Sequence, residues 1–221
     1  MFWDWQFTWE ILPLLAQASI ITVEATILGF LIAAVFGLFF AIGRLYGPKW
    51  LSIPLTGVIE FIRSTPLLIQ IFFIYYVFPE FGLSLEAMTA GVLALGIHYA
   101  TYCSEVYRAG LINIPRGQWE ASTALNLPTV KTFRDVIIPQ AIPPVVPALG
   151  NYLVALFKDT PLLSAIAVLE LMQTAKIIGS EDFRYTEPIT MVGIIFLLFS
   201  LIAAGLIKLV EAWLNRRIMR L

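Results

Sequence analysis

Apolar residues gather into five long blocks along this chain, at 17–43, 53–78, 87–109, 144–168 and 189–210. Each is close to or above the roughly 20 residues a helix needs to cross a bilayer. Polar and helix-breaking residues separate them, as at Arg44-Leu45-Tyr46-Gly47-Pro48-Lys49 and Pro79-Glu80-Phe81-Gly82. The pattern predicts an all-α membrane protein of five transmembrane helices, one domain over 1–221. Ahead of the first block, Trp3, Trp5 and Trp9 precede Pro13. Tryptophan favours the membrane–water boundary, so 1–16 reads as an interfacial segment. Between the last two blocks Leu171, Met172, Ala175 and Ile178 recur at helical spacing. They predict a short amphipathic helix on the outer surface, either a cover or a docking surface for an external binding protein.

The interval 111–142 is a polar island between two apolar blocks. Residues Glu120 to Leu125 are tolerable helix formers, Asn126 can take the left-handed conformation that ends a helix, and Pro128 stands where a helix cannot continue. The chain is expected to stop and restart there. After the break, Val130, Phe133, Val136 and Ile137 should share one helical face, opposite Lys131, Arg134 and Asp135.

Composition places these helices in lipid. Hydrophobic residues make up 59% of the chain and charged residues 13%, too apolar a balance for an ordinary water-soluble domain. No basic start and no small-residue cleavage site precedes the first block, so no cleavable signal is expected. The net charge of -1 conceals an asymmetry. If the amino terminus lies outside, the cytoplasmic side receives Arg44, Lys49, Arg108, Arg116, Lys131, Arg134, Lys208, Arg216, Arg217 and Arg220, and the outer side only Lys176 and Arg184. Basic residues mark cytoplasmic ends, so the carboxyl terminus and the 111–142 island are assigned to the cytoplasm.

Arg63 and Lys158 remain, and both fall inside blocks. A charge at a span centre costs about 2.5–3.5 kcal/mol on insertion scales, so such residues face protein. Arg63-Ser64-Thr65-Pro66-Leu67-Leu68 aligns with Lys158-Asp159-Thr160-Pro161-Leu162-Leu163. Proline removes a backbone donor, so both segments are expected to be broken helices at similar depth, flanking a path through the membrane or forming packing kinks. Glu60 and Arg63 are three residues apart and can pair, as can Glu105 and Arg108. Lys158 points about 100° away from Asp159 on a helix, which leaves Asp159 free for a cationic group. His98 and Cys103 read as packed core residues; one of each makes no disulfide and no metal cluster.

The island carries a resemblance. Glu120-Ala121-Ser122, with Asn126 four residues beyond Ser122 and Val136-Ile137-Ile138-Pro139 further on, resembles the Glu-Ala-Ala signature of permease subunits of bacterial ATP-binding-cassette importers. Ser122, Asn126, Val136 and Ile138 replace the usual Ala, Gly, Ile and Leu. Ile114-Pro115-Arg116-Gly117-Gln118, Arg63 to Gln70 and Phe183-Arg184-Tyr185 are similar to the polar amino-acid uptake branch and, within it, to ectoine/hydroxyectoine permeases. The resemblance implies a bacterial inner-membrane subunit whose cytoplasmic helix couples to an ATPase through Gly117, Gln118, Glu120, Ala121, Ser122, Asn126 and Pro139. It also implies that Thr65, Gln70, Asn151 and Asp159 line the substrate path, with Thr160 at the second break and Glu60, Arg63 and Lys158 as structural charges. The implied partners are two ATPase subunits that carry ATP and Mg, a second permease, identical or paralogous, and an extracytoplasmic solute-binding protein. No nucleic acid and no cofactor of the chain's own is implied.

The sequence contains no Gly-x-x-x-x-Gly-Lys-Ser/Thr phosphate loop and no paired nucleophile and base, which argues against an enzyme. A secondary carrier or channel could use paired broken helices, but has no need of the cytoplasmic island.

Overall fold

The structure is a computed structural model that describes residues 3–218, all helices, turns and loops with no strand among them. Arg220 and the side chain of Arg217, two of the basic residues that set the expected orientation, lie outside what is described. α1 (Trp5–Tyr46) is one helix of 42 residues. Asp4 caps it, accepting the Phe7 N–H at 3.1 Å. Residues 5–16 are thus continuous in one helix with the first apolar block. Pro13 lies within the helix, where burial of Ile11, Leu15 and Ala18 against Leu171, Ala175, Ile178 and Val192 outweighs its missing bond.

The second block is not one straight helix. α2 (Lys49–Ser64) and α3 (Leu67–Phe72) meet at 105°. Pro66 has no N–H and holds Thr65 extended, at φ -100° and ψ 140°, so the ladder must stop. α3 continues as a π turn and a 3-10 turn to Phe81, and Gly82, at φ 82°, reverses the chain.

α4 (Ala87–Ile112) is the central helix. It runs parallel to α1, with Gly29 beside Leu95 and Gly37 beside Cys103. It runs antiparallel to α7 (Ile138–Asp159), with Gly110 beside Val145 and Gly91 beside Leu163. α7 begins earlier than the expected 144. α6 (Thr129–Lys131), a π turn, α7 and a 3-10 turn to Ile166 form one helical stretch of 38 residues. Pro139 follows directly on the π turn, at the second residue of α7. The π turn also corrects the expected face: Phe133, Val136 and Ile137 turn inward, whereas Val130, ahead of the altered repeat, is exposed. α5 (Arg116–Ala124) precedes this stretch; α8 (Leu171–Glu181) and α9 (Thr186–Ile218) follow it.

Three helices are long and apolar enough to cross a bilayer: α1, Thr129–Ile166 and Thr186–Leu214. The bent α2–α3 pair makes a fourth if counted as one span. α4 falls outside this set because His98, Tyr99, Tyr102, Ser104 and Glu105 interrupt its apolar run. It is the most enclosed helix, packed against α1, α3 and α7.

Candidate functional site

Two features lie along α4: the two Thr-Pro segments near its middle and a charged cluster toward the end that carries α5. At the first segment Pro66 takes away one helical donor to the Ile62 carbonyl, which still accepts the Thr65 N–H at 3.4 Å and the Thr65 hydroxyl at 3.1 Å. Gln70 supplies another, with Nε2 donating to Ile62 O at 2.7 Å, Thr65 O at 3.1 Å and Thr65 Oγ1 at 2.7 Å. Gln70 Oε1 lies 3.1 Å from His98 Nδ1. Thr65 and Gln70 also line a cavity of about 360 Å³ behind the bend, with Phe61, Ile69 and Ala94.

The second Thr-Pro segment is not a break, a correction to the expected pair: Pro161 stands at the start of the 3-10 turn that continues α7, so the helix runs on through Asp159 to Ile166, beside the next residue of α4. Tyr99 donates to Asp159 Oδ2 at 2.7 Å, and α3 packs on the Thr160–Ile166 turn that follows Asp159. Tyr99, Tyr102, Tyr152 and His98 form a group of rings 5.3–6.4 Å apart around this carboxylate. No salt bridge reaches Asp159 among the described residues. Thr65, Gln70 and Asp159 thus converge on consecutive residues of α4. Asn151 and Lys158 do not join them: both are exposed, seven residues apart on another face of α7. Thr160 is fully buried and donates its hydroxyl proton to Phe157 O at 2.7 Å.

Toward the α5 end, Glu105 binds Arg44 of α1 and Arg108 of its own helix, the latter at 2.7 Å, and lies 3.8 Å from Arg63 of α2. Arg63 also approaches Glu60 at 3.6 Å and stands 5.2 Å over the Tyr102 ring. Both anticipated pairs form. The contacts from Arg44 and Arg63 could not be anticipated from local spacing.

α5 ends in a Schellman turn. Asn126 is left-handed at φ 52°, its N–H bonds Thr123 O at 2.9 Å, and Leu127 N–H bonds Ser122 O at 3.0 Å. Gly117, Gln118, Glu120, Ala121, Asn126 and Pro139 are exposed, whereas Ser122 is buried with its hydroxyl on Gln118 O. Trp119 anchors the helix, packing edge-on to Phe133 at 5.3 Å over Ile114, Ile137 and Ala141. Gln140 donates to Gln118 Oε1 at 3.2 Å and to Val136 O at 2.8 Å. Trp119 and Gln140 were not singled out in advance; an aromatic in a polar helix was the available signal.

At the opposite end Arg184 binds Asp4 at 3.0 Å and Glu187 at 2.6 Å, tying the start of α1 to the start of α9. The Phe7 amide and the Arg184 guanidinium hold the Asp4 carboxyl below its usual range. Glu170 caps α8 through the Met172 and Gln173 amides, yet burial pushes its carboxyl up to about 7. No group of three potential metal ligands occurs among the described residues.

Residues 33–216 match the family described as the binding-protein-dependent transport system inner membrane component. The chain belongs to that family. This permease is 47% identical over 211 residues to a probable amino-acid ABC transporter permease protein, y4tG, of Sinorhizobium fredii (strain NBRC 101917 / NGR234), a match covering 96% of this chain and 91% of the other. It is 35% identical over 195 residues to the L-cystine transport system permease protein TcyB of Bacillus subtilis (strain 168), with 86% and 83% covered. It is 32% identical over 214 residues to the glutamine transport system permease protein GlnP of Escherichia coli (strain K12), with 96% and 97% covered. A chain from the crystal structure of an amino acid ABC transporter with histidines superimposes with a TM-score of 0.90 at 35% identity, covering 96% of the permease and 99% of that chain. The MetNI methionine ABC transporter in an inward-facing conformation gives 0.79 at 19% identity over 93% and 98%, a likeness of fold alone. The permease is a transport subunit of the inner membrane and not an enzyme; ATP hydrolysis belongs to separate ATPase subunits.

Proposed function

We propose that this permease imports a small zwitterion, an amino acid or an amino-acid-like compatible solute such as ectoine, through five spans with its amino terminus outside and its carboxyl terminus in the cytoplasm. The reading rests above all on the convergence of the broken α2–α3 pair and the Asp159 segment of α7 on His98 and Tyr99, Asp159 being an acid with no salt-bridge partner among the described residues. Freed backbone groups and a carboxylate at that depth suit a solute carrying N–H donors and a cation. The names of the relatives, which include amino acid, L-cystine and glutamine systems, favour the same class. α4, at 26 residues about 39 Å long, serves as one of the five spans, its polar side chains facing protein.

Coupling runs through α5. Its exposed Gly117, Gln118 and Glu120 meet a cleft on an ATPase, while Trp119 carries motion to Phe133 and the long helix behind it. Two ATPase subunits hold ATP and Mg, and the permease holds no cofactor of its own. A second permease covers the exposed face of Asn151 and Lys158, and an external binding protein docks near α8 and the exposed Phe183 and Tyr185. Co-expression with the ATPase tests the coupling: Glu120→Lys should abolish co-purification and ATP-driven uptake. Asp159→Asn should keep the complex and lower uptake of labelled glutamine, cystine or ectoine at least about tenfold, the worth of one charge-assisted hydrogen bond. Uptake that is unchanged in both variants, or independent of ATP, would overturn the reading.

A further inference from the structure

Gln70 uses both amide protons at the bend, and its partners fix which way its carboxamide lies. The carbonyl oxygens of Ile62 and Thr65 can only accept, so the atom that faces them is Nε2. Oε1 is thereby turned to His98 Nδ1, 3.1 Å away. An amide oxygen has no proton to give, so the proton of this bond sits on Nδ1. The neutral ring keeps its lone pair on Nε2.

We propose that His98 is a positioning residue that latches the bend between α2 and α3. By donating from Nδ1 it holds the Gln70 carboxamide so that Nε2 reaches back across the bend to Ile62 O and Thr65, beside the N–H and hydroxyl that Thr65 itself gives Ile62 O. Its neighbour Tyr99 holds Asp159 in the same turn of α4, so one turn of the central helix fastens both the α2–α3 bend and the long helix that runs to Ile166. A change in the 105° angle requires Gln70 and His98 to part, or Gln70 to release Ile62. The latch stands on this geometry; only its use, setting the rate at which the path rearranges, rests on the transport reading.

His98 is the sole histidine of the chain, so [15N]histidine labelling of the full-length permease in lipid nanodiscs reports one ring. The expected spectrum has a protonated Nδ1 and a bare Nε2. A ring protonated on Nε2 alone, or averaging between tautomers, overturns the proposal. In Gln70→Leu the proton should move to Nε2, because Nδ1 loses its acceptor; an unchanged Nδ1–H would mean that another group holds the ring, which also overturns it. In the co-expressed transporter, His98→Asn keeps a donor near the Nδ1 position and should sustain uptake. His98→Ala should lower maximal uptake about tenfold, the scale of one lost hydrogen bond, with KM for the solute little changed. An Asn variant as slow as the Ala variant defeats the latch. A wild-type permease that shows the expected ring but no ATP-driven uptake defeats the transport reading instead.

Discussion

Single residues divide by how far away their partners lie. Asn126 was legible because a helix C-terminus is a local problem: a residue that tolerates positive φ stands two positions before a proline, and the Schellman turn forms there. The Glu60–Arg63 and Glu105–Arg108 pairs were legible for the same reason. The service Gln70 performs for Ile62 and its bond to His98, 28 residues on, depend on how α3 packs against α4, which spacing does not encode. The burial of Glu170 is likewise a tertiary result. That burial has a measurable effect. The folded carboxyl binds its proton up to about pH 7 whereas the unfolded one releases it near 4.5, so the fold is favoured below that window. Stability should fall as pH rises through it, by about 3 kcal/mol in all if the full shift is expressed. Melting of the purified protein between pH 4.5 and 7.5 checks the slope. Glu170→Gln should flatten it, with Lys176 the nearby basic group whose attraction already limits the shift.

Among the elements, hydrophobic blocks located every long helix but misjudged where they begin and bend. Pattern reading treats proline as an ending. Pro66 is one, since Thr65 is driven extended, yet Pro13, Pro143, Pro144 and Pro147 lie inside helices held by packing on several sides. The π turn at 132–137 is invisible to a 3.6-residue repeat, which is why Val130 was placed on the wrong face. α4 was found because its length carried it, although its polar residues dilute its hydropathy. Its contact with α1 depends on a missing side chain. A Cβ on Gly37 would stand 2.7 Å from Cys103 Cβ and 2.9 Å from the Ala100 carbonyl. Gly37→Ala should force the two helices apart and destabilise the fold by about 1–3 kcal/mol. A lower melting temperature in detergent, with Gly57→Ala as a control that meets nothing within 4 Å, would show it.

For the molecule as a whole, the all-helical membrane character followed from composition and block length, and the family from a short motif at 120–139, with the family match itself extending over residues 33–216. The gathering of α1, α2 and α4 by Glu105 could not be foreseen, because Arg44 and Glu105 are 61 residues apart. Removing this one acid leaves Arg44, Arg63 and Arg108 facing each other. Glu105→Gln should lower stability by about 1–3 kcal/mol, less than for a sealed ion pair because these side chains are partly exposed, with Arg63 still near Glu60. Thermal unfolding checks the loss, and partial recovery in Glu105→Gln combined with Arg44→Gln would assign it to repulsion. The uninterrupted helical run from Thr129 to Ile166 is about 55 Å long, starting beneath Trp119 and passing Asp159. It has the proportions of a crowbar: a tilt of about 5° about one end shifts the other by about 5 Å on this helical rise, so a small displacement at the Trp119 end is carried past Asp159 as a movement the size of a small solute.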